Sequence, residues 1–215
     1  MYLPHMFREE RPEILRAFIA AHPLGALVAT TAEEGLTANH IPMLWAARDG
    51  AANGVLDGHV ARANSIWHQL APDTAVLVIF GGANRYISPS WYPGKAEHGK
   101  VVPTWNYAVV HAHGTIRFHE DAEDSAPTLA HLNTLTDRHE AERAKPWKVS
   151  DAPADFIEPM LRRIVPFEIV ITSIVGKFKS NQNRAERDRT GVDAGLQADG
   201  VRSEDRAELV RAPRA

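Results

Sequence analysis

The chain has 215 residues, 24 basic and 27 acidic side chains, a formal net charge of −3 and no cysteine. A chain of this length can bury a core large enough to fold without a disulfide or a structural metal. The lack of cysteine excludes disulfides, thiolate nucleophiles, Cys-ligated zinc and iron–sulfur clusters, and the slightly acidic balance gives no general attraction to nucleic acid. Catalysis or binding must therefore use other side chains or a bound cofactor.

The N-terminal segment carries no targeting pattern. Residues 1–10 lack the basic start and apolar core of a signal peptide, and no apolar run reaches the roughly 18 residues of a transmembrane helix. We therefore expect a cytoplasmic protein with no membrane partner.

The first 60 residues have the pattern of a helix followed by a strand meander. Apolar residues at helical spacing predict an amphipathic helix over 12–21. Strands are predicted over 24–31, 36–45 and 55–59, with Gly-containing turns between them. Closely spaced strands joined by short turns favour an antiparallel sheet.

The rest of the chain adds strands and helices around a long loop. The predicted elements are a short helix over 62–70, strands over 74–80 and 85–88 with a turn at 81–84, a loop over 89–103, a strand over 104–118, helices over 127–139 and 154–163, a strand over 167–175 and a charged helical segment over 181–198. The loop is rich in Pro and aromatic residues, and its length favours a functional role over merely covering a sheet edge.

Together these elements predict an α+β, mainly β protein. Six or seven antiparallel strands with peripheral helices are typical of an antiparallel barrel. We expect residues 1–198 to form a single domain and residues 199–215 to form a flexible tail.

Histidines offer one route to chemistry. His111 and His113 are two residues apart in a predicted strand and therefore lie on one face, where two imidazoles can begin a metal site. His40, His59 or Glu168 is a candidate third ligand. The alternative is that the pair lines a cofactor pocket or an interface.

Other familiar catalytic patterns are missing. No serine lies in a G-x-S-x-G setting, and neither a P-loop nor a Rossmann fingerprint is found. The carboxylates at Glu120, Asp121, Glu123 and Asp124 are interpreted as a solvated helix entry.

Two polar segments are candidates for anion binding. Arg62 and Asn64 lie where a predicted strand gives way to a helix, so Arg62 can contact a phosphate and Asn64 can either cap the helix or contact the anion. Lys177 and Lys179 begin a second basic cluster, for which an ordinary solvated helix start is the competing interpretation.

Aromatic residues flank the long loop. Tyr86, Trp91, Trp105 and Tyr107 can line a flat aromatic ligand, or they can form a core and a dimer surface.

Several segments, in order along the chain, carry the motifs of one known family. They are residues 1–7 with Pro4, His5 and Phe7, then 37–42 (TANHIP), 58–64 (GHVARAN), 86–92 (YISPSWY), 102–107 (VPTWNY), 111–114 (HAHG) and 177–189. Through these segments the chain resembles the PaiB-type family, the FMN-binding negative transcriptional regulators. The resemblance covers nearly all of residues 1–197.

The resemblance implies a split barrel, similar to the pyridoxamine phosphate oxidase-like flavoproteins, with FMN at a homodimer interface. It makes Arg62 the candidate phosphate ligand and His111 and His113 pocket or interface residues. The cofactor-binding residues that it implies are Thr37, His40, His59, Val60, Ala61, Arg62, Asn64, Trp105, Asn106, Tyr107, Lys177 and Gln182.

One departure from the family pattern lies in the C-terminal motif. Where the family has Lys-Leu-Ser-Gln-Asn-Arg, this chain has Ser180 in place of Leu and Asn181 in place of Ser. If the family's Ser contacts FMN, this change affects cofactor affinity.

Three functions remain open from the sequence. The family name implies transcriptional repression, although the chain shows no helix-turn-helix pattern and its acidity gives little phosphate neutralisation on DNA. The alternative is an FMN-dependent oxidoreductase, for which no catalytic residue stands out. A His-ligated metal protein is the third possibility.

Overall fold

The computed structural model describes residues 1–119 and 125–212. The carboxylates Glu120, Asp121, Glu123 and Asp124, interpreted above as a helix entry, lie outside the described residues, as do the last three residues of the expected tail.

The described residues contain eight strands, seven α-helices and three single-turn 3₁₀ helices. The strands are β1 (Arg8–Glu9), β2 (Leu24–Thr31), β3 (Gly35–Pro42), β4 (Leu44–Arg48), β5 (Ala51–Ala61), β6 (Thr74–Ile87), β7 (Thr104–Phe118) and β8 (Ile164–Lys179). The helices are α1 (Pro12–Ala21), α2 (Ile66–Gln69), α3 (Gly94–His98), α4 (Ala126–Glu140), α5 (Ala154–Leu161), α6 (Glu186–Ala198) and α7 (Ser203–Leu209). The 3₁₀ turns are His5–Phe7, Pro89–Trp91 and Val149–Asp151.

The strands form one sheet with the neighbour order β3-β2-β6-β7-β8-β5-β4, and β1 also pairs with β8. The pairs β2–β3, β4–β5, β5–β8 and β1–β8 are all antiparallel. The α+β, mainly β class with an antiparallel sheet is therefore confirmed. The structure has one strand more than the upper prediction because it includes the two-residue β1.

The chain divides into two compact units. The terminal unit comprises Met1–His22, Ile79–His111 and Ile174–Ala215, and the central unit comprises Pro23–Val78 and Ala112–Ser173. Strands β6, β7 and β8 each run from one unit into the other along the chain. The single domain over residues 1–198 stays a prediction.

The central unit is built on strands with one buried face. In β2, residues Leu27 and Ala29 are buried while their neighbours are more exposed, which is the period-2 alternation of a half-covered strand. In β5, Gly58 packs tightly on Phe167 of β8, since a Cβ at Gly58 would lie 2.5 Å from the Phe167 ring. The β5–β8 pair therefore depends on the absence of a side chain at this position.

The terminal unit has a core made by segments far apart in sequence. Ile87 and Tyr92 pack with Val192, Leu196 and Leu209. These side chains come from the end of β6, the following loop, α6 and α7. The loop over 89–103 therefore contributes to a core in the part that precedes α3.

Two glycines of α6 allow the helix to approach that loop. A Cβ at Gly191 would lie 2.2 Å from the carbonyl oxygen of Trp91, and one at Gly195 would lie 2.4 Å from the Trp91 ring. Because these glycines are four residues apart, they share one helix face. Trp91 therefore packs directly against the backbone of α6.

The C-terminal segment differs from the flexible tail expected from the sequence. Residues 203–209 form α7, and Leu209 is buried. Glu208 accepts hydrogen bonds from the amide of Ala83 and pairs with His22 at 2.6 Å. Charge alone suggested a frayed end, but one buried apolar side chain and these polar contacts fix the segment.

Two other element predictions were wrong in detail. The turn predicted at 81–84 lies inside the continuous strand β6, where a Cβ at Gly82 would meet Phe18 and Glu208. The strand predicted over 36–45 is divided into β3 and β4 at Met43, a buried residue whose amide donates to the carbonyl of Pro23. The first error arose because the sequence alone does not distinguish a glycine that permits close packing within a strand from a glycine in a turn.

None of the helices in the described part of the chain is long and apolar enough to cross a membrane.

Candidate functional site

The junction between β5 and α2 in the central unit presents an exposed guanidinium. Arg62 donates from Nε to the carbonyl of Arg162 at 2.8 Å and from a terminal nitrogen to the carbonyl of Ile164 at 3.3 Å. Its guanidinium carbon also lies 5.5 Å from the centre of the Trp67 ring. A guanidinium has five N–H donors, so two bonds fix its orientation and leave donors for an anion.

Asn64 connects this junction to strand β3. Its side-chain oxygen accepts from the amide of Ile66, the first residue of α2, at 3.0 Å, and its side-chain nitrogen donates to Asn39 at 2.8 Å. The N-cap position of α2 is Ser65, so Asn64 holds the turn that precedes the helix. Thr37 and His40, on the same strand as Asn39, are partly exposed and exposed respectively. Strand β3 is also at one end of the strand order.

The remaining central-unit candidates lie at the end of β5. Val60 is buried, Ala61 is exposed and His59 is intermediate. The Nδ1 atom of His59 lies 3.2 Å from the Nε2 atom of His131 on α4. Burial lowers the pKa of His59, and burial together with the neighbouring His59 lowers the pKa of His131 to about 4. Both imidazoles are therefore neutral at pH 7.

Trp105, Asn106 and Tyr107 are consecutive residues of β7 in the terminal unit, so they alternate between its two faces. Trp105 is half exposed, at 51%, and its ring makes an edge contact with Tyr86, with ring centres 6.4 Å apart. Asn106 is fully buried and donates to the carbonyl of Leu209 at 2.8 Å. Its side-chain oxygen has no hydrogen-bond partner among the described residues. Trp105 and Tyr107 therefore form the more accessible face, and Asn106 belongs to the interior.

Two lysines of the terminal unit lie beside these aromatic residues. The Nζ atom of Lys177 lies 5.3 Å from the ring centre of Tyr2 and 5.4 Å from that of Tyr107, and it donates to the carbonyl of Tyr2 at 3.0 Å. Lys179 donates to the hydroxyl of Thr104 and to the carbonyl of Trp105. Burial, followed by the charges of Lys177 and Arg184, lowers the pKa of Lys179.

Gln182, predicted as a cofactor-binding residue, uses its side-chain amide to bond to the backbone. Its side-chain oxygen accepts from the amide of Ser180 at 2.8 Å, and its side-chain nitrogen donates to the carbonyls of Met6 and Phe178. The residue is buried. These bonds satisfy backbone groups of the N-terminal segment and of the turn after β8, so Gln182 supports the fold of the terminal unit.

The two departures from the family motif also have structural partners. Asn181 has a φ of 59°, in the left-handed region that Asn tolerates better than most residues, and its side-chain nitrogen donates to the hydroxyl of Tyr92 at 3.1 Å. Ser180 donates to the carbonyl of Glu208. These substitutions therefore connect the turn after β8 to the loop and to α7 of the terminal unit.

The donor set fits FMN by its chemistry. A phosphate requires cationic N–H donors, and Arg62 of the central unit has this chemistry. A flat ring requires an aromatic surface, and within the terminal unit Trp105 and Tyr107 have this chemistry, with the cations Lys177 and Lys179 nearby. Of the twelve predicted residues, Gln182 and Asn106 donate hydrogen bonds to backbone carbonyls in the interior, and Val60 is buried.

The described residues do not support a metal centre. Within residues 1–119 and 125–212, no group of three or more His, Asp or Glu side chains is arranged to hold a metal ion. His111 is partly buried and His113 is exposed.

The sequence did not reveal what the motif over residues 86–92 packs against. Residues 86–92 were considered for a ligand site or a core, but nothing local indicated that Trp91 packs on Gly191 and Gly195, a hundred residues later. The only available signal was the pair of glycines at helical spacing, which in a surface helix indicates a close approach.

Comparison with known proteins identifies the family. The sequence profile of the family described as "Putative FMN-binding domain" matches residues 1–173. The chain is 35% identical over 230 residues to an uncharacterized protein of Emericella nidulans, covering 92% of this chain and 90% of that protein. It is 31% identical over 198 residues to protease synthase and sporulation protein PAI 2 of Bacillus subtilis, covering 92% and 89%.

A solved structure gives the fold. The flavocytochrome Anf3 from Azotobacter vinelandii matches with a TM-score of 0.53 and 14% identity, covering 80% of this chain and 69% of that chain. The expected flavin-binding split-barrel fold is confirmed, and the cofactor in the family's name, FMN, is the one expected from the motifs. With a profile match over most of its length, the chain belongs to this family of FMN-binding domains.

Proposed function

We propose that the protein binds FMN as a homodimer and works as a transcriptional regulator of the PaiB type. The observation that carries the FMN proposal is the exposed guanidinium of Arg62, fixed by two backbone carbonyls with donors to spare. The regulatory role is supported by the similarity to the Bacillus subtilis protein named protease synthase and sporulation protein PAI 2. Location in the cytoplasm stays a prediction from the sequence.

In this proposal Arg62 of the central unit binds the FMN phosphate. Asn64 lies two residues further along the chain and bonds to Asn39 of β3, the strand that carries Thr37 and His40. In the terminal unit, Trp105 and Tyr107 are the candidate residues for contact with a flat ring, and Lys177 lies beside Tyr107. When bound, FMN either supplies redox chemistry or acts as a ligand that the regulator senses.

The homodimer is supported by exposed apolar residues of the terminal unit. Large apolar side chains that are about half exposed or more lie at the N-terminus and around β7: Met1, Tyr2, Met6, Tyr86, Val102 and Trp105. The rings of Tyr86 and Trp105 are in contact, and contiguous exposed apolar side chains are typical of an interaction surface. Light scattering of the purified protein tests the dimer, and a monomeric mass at micromolar concentration contradicts it.

The FMN site is tested by titration of FMN and of riboflavin, which has the same ring system but no phosphate. We expect Arg62→Ala to weaken FMN binding roughly 10- to 100-fold, the loss of a charge-assisted hydrogen bond, and to leave riboflavin binding unchanged. Arg117→Ala is the matched control, because Arg117 is an exposed arginine of the same unit that pairs with Asp73. Equal FMN affinity in Arg62→Ala and wild type removes Arg62 from the phosphate site, and no FMN binding by wild type removes the proposal.

Two measurements separate the regulator from the oxidoreductase. Salt-dependent retardation of the gene's own promoter DNA favours the regulator, because phosphate contacts release counterions. Reduction of the bound flavin by NAD(P)H at rates above those of free FMN favours the enzyme.

A further inference from the structure

The central unit contains a cavity that none of the predicted FMN residues lines. It has a volume of about 920 Å³ and lies among β4, β5, β8 and α4. A volume in this range is typical of small-molecule sites. Its walls include apolar side chains from the strands and from the helix: Leu44, Trp45, Ala46, Pro127, Ala130, Pro166 and Phe167.

The charged groups of the cavity are two carboxylates and one guanidinium. Asp57 and Glu168 lie directly opposite each other on the antiparallel strands β5 and β8. Arg48 lies 2.8 Å from Glu168, but its distances to the two Asp57 oxygens are 3.3 and 3.4 Å. Charge-assisted hydrogen bonds are usually 2.7–2.9 Å, so Arg48 bonds more closely to Glu168 than to Asp57, and one guanidinium is shared by two carboxylates.

Of the two histidines that line the cavity, His131 on α4 has a pKa of about 4 and is therefore neutral at pH 7. Burial raises the pKa of Asp57, the Arg48 charge opposes that effect, the Glu168 charge adds to it and His119 opposes it. The described walls hold two carboxylates and one guanidinium, and this composition disfavours a phosphate or a carboxylate as occupant.

An inorganic cation does not suit these walls either. Asp57, Glu168 and the nearby histidines are not arranged as a group of three that could hold a metal ion in the described part of the chain. The cavity offers a large apolar and aromatic surface instead, and aromatic rings attract organic cations through their faces.

We propose that this cavity binds an organic ammonium ion, an amine whose charged nitrogen lies beside the Asp57–Arg48–Glu168 cluster and whose apolar body lies against Trp45 and Phe167. The proposal is independent of FMN, because it uses none of the residues assigned to the cofactor. The cavity and the β5 end are connected through the His59–His131 contact.

Calorimetric titration tests the charge preference directly. The probes are phenylethylammonium, cyclohexylmethylammonium and hexylammonium, compared with phenylethanol and phenylpropanoate at pH 7. We expect at least one ammonium to bind at least 10-fold more tightly than phenylethanol, and phenylpropanoate not to bind. No heat from any of the three ammonium ions at millimolar concentration overturns the proposal, as does equal affinity for the amine and the alcohol.

Variants locate the site. Glu168→Gln is expected to weaken the ammonium at least 10-fold, while Glu34→Gln, an exposed carboxylate on a turn of the same unit, leaves the affinity unchanged. Because Glu168→Gln also removes a partner of Arg48, Ala130→Phe provides a second test that fills the cavity from α4 and keeps both carboxylates. Unchanged binding in Ala130→Phe, or in a folded Glu168→Gln variant, overturns the assignment of the site.

Discussion

The two compact units treat their predicted cofactor residues differently. In the central unit, Arg62 is exposed and keeps N–H donors for a ligand, although two of its bonds go to backbone carbonyls. In the terminal unit, Gln182 is buried and both polar atoms of its amide group bond to the chain itself, and the buried Asn106 donates from its side-chain nitrogen to the carbonyl of Leu209. The same family motifs therefore contain two kinds of residue, those available to a ligand and those that hold a segment in place.

A motif residue is therefore a candidate ligand-binding residue only when its polar atoms are still available to the ligand. Lys177 is the intermediate case, because it is buried and donates to Tyr2 while lying between two tyrosine rings.

The largest effect is expected for Gln182→Ala. The substitution leaves the amide of Ser180 and the carbonyls of Met6 and Phe178 without their partner in a buried place, which costs about 3 kcal/mol of unfolding free energy. Urea unfolding measures it, and Gln197→Ala, an exposed glutamine of α6, is the control with a change within about 0.5 kcal/mol. A stable Gln182→Ala protein with weakened FMN binding contradicts the structural role of Gln182, since the residue then binds the cofactor.

A smaller loss of about 2 kcal/mol is expected for Gly191→Ala. Alanine normally favours a helix over glycine by about 1 kcal/mol, but here its Cβ meets the carbonyl of Trp91 and overpacks the contact. Gly81→Ala is the control, because a Cβ there has no neighbour within 4 Å. Greater stability in Gly191→Ala shows that α6 does not lie against the loop, and the structural reading of the 86–92 motif then fails.

The smallest effect concerns the His59–His131 pair of the central unit. Burial and the His59 charge hold the pKa of His131 near 4, while an unfolded histidine has a pKa near 6.5, so the unfolded state binds more protons between these pH values. Stability therefore falls as the pH is lowered from 6.5 towards 4, by an amount on the order of 1 kcal/mol after solvent screening.

Urea midpoints at pH 7.5 and pH 5 measure this loss. His131→Gln is expected to reduce the difference between the two midpoints, and His139→Gln, an exposed histidine of the same helix, is expected to keep it. An equal difference in His131→Gln and wild type shows that the pair does not couple α4 to protonation.

Local pattern was enough to predict several elements. The helix over 12–21 and the strand over 104–118 have the predicted bounds in the structure, because hydrophobic period and flanking prolines mark both. The family motifs likewise pointed to Arg62 at a strand–helix junction, a short-range feature. Prediction succeeded where the physical cause lies within a few residues.

Contacts between residues far apart in the sequence could not be predicted from local pattern. Whether Asn106 faces a ligand or Leu209 depends on where α7 packs, and the charged segment around α7 contains little apolar pattern to announce a helix. Nor did anything near Glu168 reveal that Asp57, over a hundred residues earlier, lies opposite it across two strands.

The segment after residue 173 has a practical consequence for anyone who produces this protein. The family profile ends at residue 173, inside β8, yet α6 and α7 cover Trp91 and Tyr92 from the part of the chain that follows. A truncation designed on the profile boundary would remove these helices and expose the aromatic side chains, and we expect it to aggregate. Affinity tags belong beyond residue 212 or on a cleavable N-terminal extension, because the carbonyls of Tyr2 and Met6 are already engaged.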